Sequence, residues 1–372
     1  MALMFPRLAR NFVKNGYFPT DEPTLERALN ALMPSDGPMC ILDPCAGEGV
    51  AIAEAAQGYG GTVGAGAGND GVTLFGNALS THREGMLGLL AEVARQPSFP
   101  EKEVKLAQAN ALQGLKASEA QPGFKATRAL LAATYGDHPY ARVQPTEAGI
   151  TAVSAEQLRS EHARRFRPER ALLVITGKVT PAEGFALAER AFGDWKGTGA
   201  APAEIVHARR EAKPARVLIQ RDGSVQSALA LGRPAIPATD DDYIPAQLAG
   251  IVLGSGFSSR VMQNLREDKG WTYGFTGGVS DAPVGQRLFT VSGAIEAEHA
   301  AEAMAEIRKE IADFVDARPA TQDEIDRDRT ARILALPSAF SGNAAFLGSI
   351  VSSAAYGLPY DRAASSGDRL SA

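Results

Sequence analysis

Only two cysteines occur in 372 residues, Cys40 and Cys45, and both fall within the first 50. The rest of the chain therefore holds neither a disulfide framework nor a cysteine-ligated zinc. Histidine is scarce too: His82, His138, His162, His207 and His299 make up the set, and no two stand four apart. Paired imidazoles four apart on one helical face, the usual grip on a catalytic metal, are excluded. There is no excess of positive charge, with 38 Lys and Arg against 43 Asp and Glu and a net charge of -5. Nothing in that balance points to nucleic acid or to an anionic membrane. The start of the chain offers no span of about 20 apolar residues. Residues 1–20 are interrupted by Arg, Lys, Asn and Gly, unlike a signal peptide. As written, the chain is expected in the cytoplasm.

What is present suits an ordinary globular protein: 45% hydrophobic and 22% charged residues, with length enough for two or three domains. Residues 1–56 differ from the rest of the chain. Pro23 to Leu29 predicts a short helix, Met39 to Asp43 a strand, and Val50 to Ala56 a second helix, with a glycine turn between strand and helix. This is the opening of a Rossmann-like α/β unit, where glycines let backbone approach a ligand and a helix N-terminus favours negative charge. The run Ile41-Leu42-Asp43-Pro44-Cys45-Ala46-Gly47-Glu48-Gly49 resembles motif I of class I S-adenosylmethionine-dependent methyltransferases, particularly those acting on DNA. That resemblance implies that Asp43, Gly47 and Gly49 line the cofactor. An acid about 20 residues on for the ribose is not found, nor is a polar-Pro-Pro-aromatic loop. Residues 1–56 read as a fragment.

The larger part carries an internal repeat. In the first copy, a small-residue strand over 62–68 turns at Asn69-Asp70-Gly71 into Val72-Thr73-Leu74-Phe75, a hairpin pattern. A helix over 83–96 comes next, then Pro97, then a helix over 101–116. The second copy repeats strand, strand, helix, Pro and helix over 272–279, 286–295, 300–317, Pro319 and 323–336. A buried strand is expected over 171–177, and a helix from Pro181 to Phe192. Strands are expected over 216–220 and 227–232, then a helix over 242–253. Residues 196–204 have linker composition. The expected organisation is a fragment over 1–56, a first domain over 57–195, a linker over 196–215 and a second domain over 216–372. The first copy lacks its start and the second its end. The fold class is α+β, with mixed or antiparallel sheets packed by helices.

Several runs carry a more specific resemblance. Gly254-Ser255-Gly256-Phe257-Ser258-Ser259-Arg260, continuing through Leu265-Arg266-Glu267-Asp268-Lys269-Gly270-Trp271-Thr272-Tyr273, is similar to the second-domain signature of the M16 (pitrilysin or insulinase-like) peptidases. Tyr135 to Tyr140, Phe192 to Trp195 and the hairpin from Gly60 resemble first-domain landmarks of the same family. The resemblance implies paired α/β domains of like topology that clasp a peptide. It also implies zinc on a His-x-x-Glu-His helix, with a further glutamate ligand on a later helix. Here that pattern fails. The later helix has no carboxylate between Glu103 and Glu119, and Gln113 stands near the expected glutamate, where a neutral amide is a poor zinc ligand.

The resemblance therefore implies a zinc-free subunit type that works beside a zinc-bearing M16 partner on a peptide substrate. No metal residue is assigned to this chain. Arg266 and Tyr273 match the family's Arg-x6-Tyr pair and would contact substrate or the developing oxyanion. Gly64, Ala65, Gly66 and Ala67 match an edge that pairs with substrate as an added strand. Two alternatives stand beside this reading: a methyltransferase fragment, and a non-functional chimeric gene product. An intact homologue could instead be periplasmic. Among the histidines, His138 is expected in a structural turn and His162 on a solvated helix face. Asp240, Asp241 and Asp242 are expected to cap a helix.

Overall fold

A computed structural model of the chain describes residues 50–372 apart from 69, 203–212, 280–287, 356, 363–364 and 372. The expected helix and strand within residues 1–49, with Asp43, Gly47 and Gly49, lie outside the described residues. In chain order come α1 (Val50–Gly58), β1 (Thr62–Ala67), β2 (Val72–Asn77), α2 (Arg83–Arg95), α3 (Glu101–Glu119) and α4 (Pro122–Tyr135). Next are α5 (Glu147–Ala152), α6 (Ala155–Arg165), α7 (Pro181–Phe192), β3 (Gln226–Pro234) and α8 (Tyr243–Gly254). A helical segment over Arg260–Met262 and Gln263–Asp268 precedes β4 (Gly274–Val279) and β5 (Leu288–Glu296). The chain closes with α9 (Ala300–Val315), α10 (Gln322–Ala339), α11 (Asn343–Ala355) and α12 (Ser366–Ser371).

The described residues divide into two compact units. The first takes those up to Leu112 and those from Glu147 to residue 202. There β1 and β2 form an antiparallel hairpin in which Gly64 faces Phe75. Ala56, Met86 and Leu89 are buried beneath it, with Ile52, Val63 and Ala78 packed around them. α6 and α7 start at capping boxes, Ser154 with Gln157 and Thr180 with Glu183, which satisfy backbone donors the helix itself leaves open.

The second unit takes Gln113–Thr146 and the described residues from 213 onward. Its sheet runs β3-β5-β4 with every pair antiparallel. Leu253, Val261, Met262, Leu265, Phe275, Val291, Ile295, Ala303 and Ile307 form one buried cluster between that sheet, the 260–268 segment and α9. α8 lies unusually close to β4. A Cβ added at Gly250 or Gly254 would fall 2.9 or 2.8 Å from the Cα of Gly278 or Gly277. Glycine is what permits that approach.

The structure is a helix-rich α+β fold with small antiparallel sheets. Two expected strands are corrected. Residues 171–176 and 216–220 form no ladder, and Leu172, Leu173, Ile175, Val217, Leu218 and Ile219 are exposed. Apolar, strand-prone sequence becomes a strand only where a neighbouring edge accepts its hydrogen bonds. Neither run joins a sheet among the described residues. No single helix among the described residues is long and apolar enough to cross a membrane.

Candidate functional site

The segment from Gly254 to Tyr273 is built as a rigid presentation of a few side chains. α8 ends at Gly254, and Gly256 turns the chain at φ +83. The buried Ser259 hydroxyl donates to the Gly256 carbonyl at 2.8 Å, closing that turn. Val261, Met262 and Leu265 then plunge into the core. The helix widens to a π turn over Gln263–Asp268, a geometry that recurs at functional sites. Beyond it the Trp271 N–H donates to the Leu265 carbonyl at 3.0 Å, and the Thr272 hydroxyl donates to the Ala294 carbonyl. The chain is thus fixed on both sides of the bend that leads into β4.

Arg266 sits in the π turn, with its side chain about a third exposed. Its guanidinium lies over the Phe257 ring, 4.7 Å from the centroid, and 3.6 Å from the Glu267 carboxylate. Tyr273 is 89% exposed immediately before β4. Both residues therefore belong to one well-anchored stretch of the second unit, and each offers N–H or O–H donors to solvent or to a ligand.

Gly64, Ala65, Gly66 and Ala67 lie in the first unit, on β1. The outer edge of β1 has no ladder among the described residues. The glycines are not equivalent. A Cβ at Gly64 would fall 2.4 Å from the Phe75 ring, which lies across it, whereas at Gly66 nothing stands within 4 Å. Gly64 is needed for a cross-strand aromatic, and only the 66 end is open. That distinction escaped the sequence reading, although the paired register of a hairpin could have suggested Phe75.

The described histidines are committed elsewhere. His138 Nδ1 accepts from the Tyr140 N–H at 3.2 Å, as a structural turn requires. His82 stacks on Tyr59. His162 corrects the expectation of a solvated face: it is half-buried, its Nε2 lies 2.8 Å from the Ala94 carbonyl, and it stacks on Phe166. Burial holds its pKa below the usual value of 6.5, opposed by the hydrogen bond to Ala94. Asp242 makes no side-chain cap on α8; its own N–H donates to Asp240 instead. His299 stacks on Trp271 at the start of α9, with Nδ1 2.9 Å from Glu302, and clusters with Glu296 and Glu298. That group is an exposed carboxylate cluster at a helix start, where negative charge complements the dipole. In α3, Gln113 is exposed and no acid lies between Glu103 and Glu119. The donors among the described residues do not fit a His-x-x-Glu-His zinc site.

A family model described as the peptidase M16 inactive domain matches residues 152–332. An uncharacterized zinc protease of Mycobacterium leprae is 29% identical over 225 residues, covering 60% of this chain and 50% of that protein. The crystal structure of a peptidase M16 inactive domain from Pseudomonas fluorescens superposes with a TM-score of 0.78 at 25% identity, covering 87% of this chain and 77% of that one. Residues 152–332 form an M16 inactive-type domain. The periplasmic protease PqqL from Escherichia coli shares the fold, with a TM-score of 0.68 at 13% identity over 95% of this chain and 38% of that one. The chain matches half the length of the M. leprae relative. The matched stretch contains Arg266 and Tyr273 but not β1. None of these comparisons supports the methyltransferase or chimera readings.

Proposed function

We propose that this chain is a zinc-free M16-type component that holds an unstructured peptide for a zinc-bearing M16 partner. The observation that carries the reading is the anchored 254–273 segment, which offers the Arg266 guanidinium and the 89% exposed Tyr273 hydroxyl from one rigid unit. Fixed donors of this kind suit peptide carbonyl oxygens, and they gain strength where negative charge develops. The open end of β1 around Gly66 suits backbone pairing with an extended peptide. Any zinc belongs to the partner.

The reading includes two copies of one domain plan, over 57–195 and 216–372. Hairpin, helix, proline and helix recur in β1, β2, α2, Pro97 and α3 and in β4, β5, α9, Pro319 and α10. In this reading the chain as written is cytoplasmic and an intact homologue periplasmic, as the named compartment of the E. coli protease suggests.

The test uses the purified chain with a fluorescein-labelled disordered peptide. Binding seen by anisotropy should weaken in Arg266→Gln and Tyr273→Phe, and the chain alone should leave the peptide intact with zinc added. Chelator-sensitive cleavage by the chain alone, or binding untouched by both substitutions, would overturn the proposal.

A further inference from the structure

Arg266 stands midway along the π turn, and the residues that bracket it are tied together by a single side chain. Asn264 is buried. Its Nδ2 donates to Glu306 at 3.0 Å and to Glu310 at 2.8 Å, both on α9. Its Oδ1 accepts from Lys269 Nζ at 2.8 Å, just beyond the turn. Lys269 also lies 3.7 Å from Glu306 and packs over the Trp271 ring. Glu310 is held in turn by Arg318 at 2.8 Å. One amide thus closes the turn from residue 264 to residue 269 and fastens it to α9.

The chemistry of that position is narrow. The group must accept from an ammonium while donating to two carboxylates, which a primary amide can do and a carboxylate cannot. Asparagine hydrogen bonding is also the leading reason that the Glu306 carboxyl is held below its ordinary range. On the other side of Arg266, Gln263 donates to the Phe257 carbonyl at 2.9 Å, which places the Phe257 ring under the guanidinium. A fully hydrogen-bonded polar network rigidifies what it joins, so a lock across both ends fixes where Arg266 points.

We propose that Asn264 is a positioning residue: by pinning the π turn between Lys269 and α9, it sets the direction in which Arg266 meets a peptide. The inference rests on the peptide-holding role of Arg266, and its test separates the two.

Three variants of the full chain are compared with wild type. Asn264→Asp keeps the shape and removes both donors. Asn264→Asp with Glu306→Gln restores one donor from the opposite side. Lys269→Met opens the far end of the lock from a partly exposed position. Hydrogen exchange of the 263–270 amides reads the lock, and anisotropy with the labelled disordered peptide reads Arg266. The single variants should exchange faster over 263–270 and bind about tenfold more weakly, the worth of one charge-assisted hydrogen bond, with a cooperative melt retained. The double variant should recover part of each, since Glu306→Gln restores one of the two bonds. Wild-type exchange and binding in Lys269→Met and in whichever Asn264 variant folds would overturn the inference. If instead Arg266→Gln binds like wild type while exchange responds as expected, the peptide role falls and the lock stands.

Discussion

Arg260 and Glu324 meet in a two-point ion pair, Nε to Oε1 at 2.9 Å and Nη2 to Oε2 at 2.8 Å. Arg260 opens the helical segment that carries Arg266, and Glu324 belongs to the first turn of α10. The same carboxylate completes a capping box with Thr321, accepting from its N–H at 2.8 Å and its hydroxyl at 2.9 Å. Arg260 further donates to the carbonyls of Arg318 and Pro319. One planar fork therefore ties the foot of the candidate site to the loop before α10, a geometry lysine cannot reproduce.

Glu324→Gln is expected to lower stability near neutral pH by about 2 kcal/mol, the scale of a charge-assisted hydrogen-bond pair with modest exposure. The Arg260 hydrogen bonds chiefly, helped by Thr321, hold the Glu324 carboxyl at about 2 against an ordinary 4.5. A depressed carboxylate stabilises the fold in full above its unfolded pKa and loses that contribution as pH falls through the folded one. Urea melts of wild type and Glu324→Gln should differ most above pH 4.5 and converge toward about pH 2. A gap independent of pH would contradict this.

His162 carries a second pH dependence, through burial. Its folded pKa lies below 6.5, so the unfolded chain takes up the proton first. Stability should be full above that value and fall as pH drops below it, levelling once the folded form also protonates. His162→Gln leaves nothing to titrate and can still donate to the Ala94 carbonyl. Melting temperatures of the two proteins should therefore diverge in the variant's favour on acidification from about pH 7.5 to about 5.5. Parallel curves would show that the imidazole titrates as though exposed.

The hairpin around Leu288 and Phe289, the helix from Ala300 and the proline that ends it were readable because each depends on neighbours close in sequence. The runs 171–176 and 216–220 were not, because a strand is a property of two edges and sequence displays only one. Asn264 drew no attention for a similar reason: its partners Glu306 and Glu310 lie 42 and 46 positions away. Arg266 and Tyr273 stood out only through their flanking signature, which says nothing of Phe257 beneath the guanidinium.

The contact of α8 with β4 gives a packing prediction. Gly254→Ala would place a methyl 2.8 Å from the Gly277 Cα, and Gly250→Ala 2.9 Å from the Gly278 Cα. Backbone cannot yield as a side chain can, so each should lose about 1–3 kcal/mol despite the better helix propensity of alanine. Gly114→Ala in α3, with no atom within 4 Å of the new methyl, should instead gain about 0.5–1 kcal/mol. Denaturation midpoints decide it. A common gain at all three positions would mean that helix and strand are not held at this distance.

The last prediction concerns the two apolar runs without ladders. Leu172 is 53% exposed and Leu218 89%, so neither contributes much burial to this fold. Leu172→Lys and Leu218→Lys should each change stability by no more than about 0.5 kcal/mol, as surface substitutions do. Both runs are strand-prone, uncharged over several residues and in no sheet among the described residues, a composition that suits pairing with another chain. A lysine in each should reduce concentration-dependent light scattering while the melt stays in place. A melt lowered by several degrees would mean that these leucines are packed after all, and scattering unchanged by either lysine would clear the two runs as the adhesive edges.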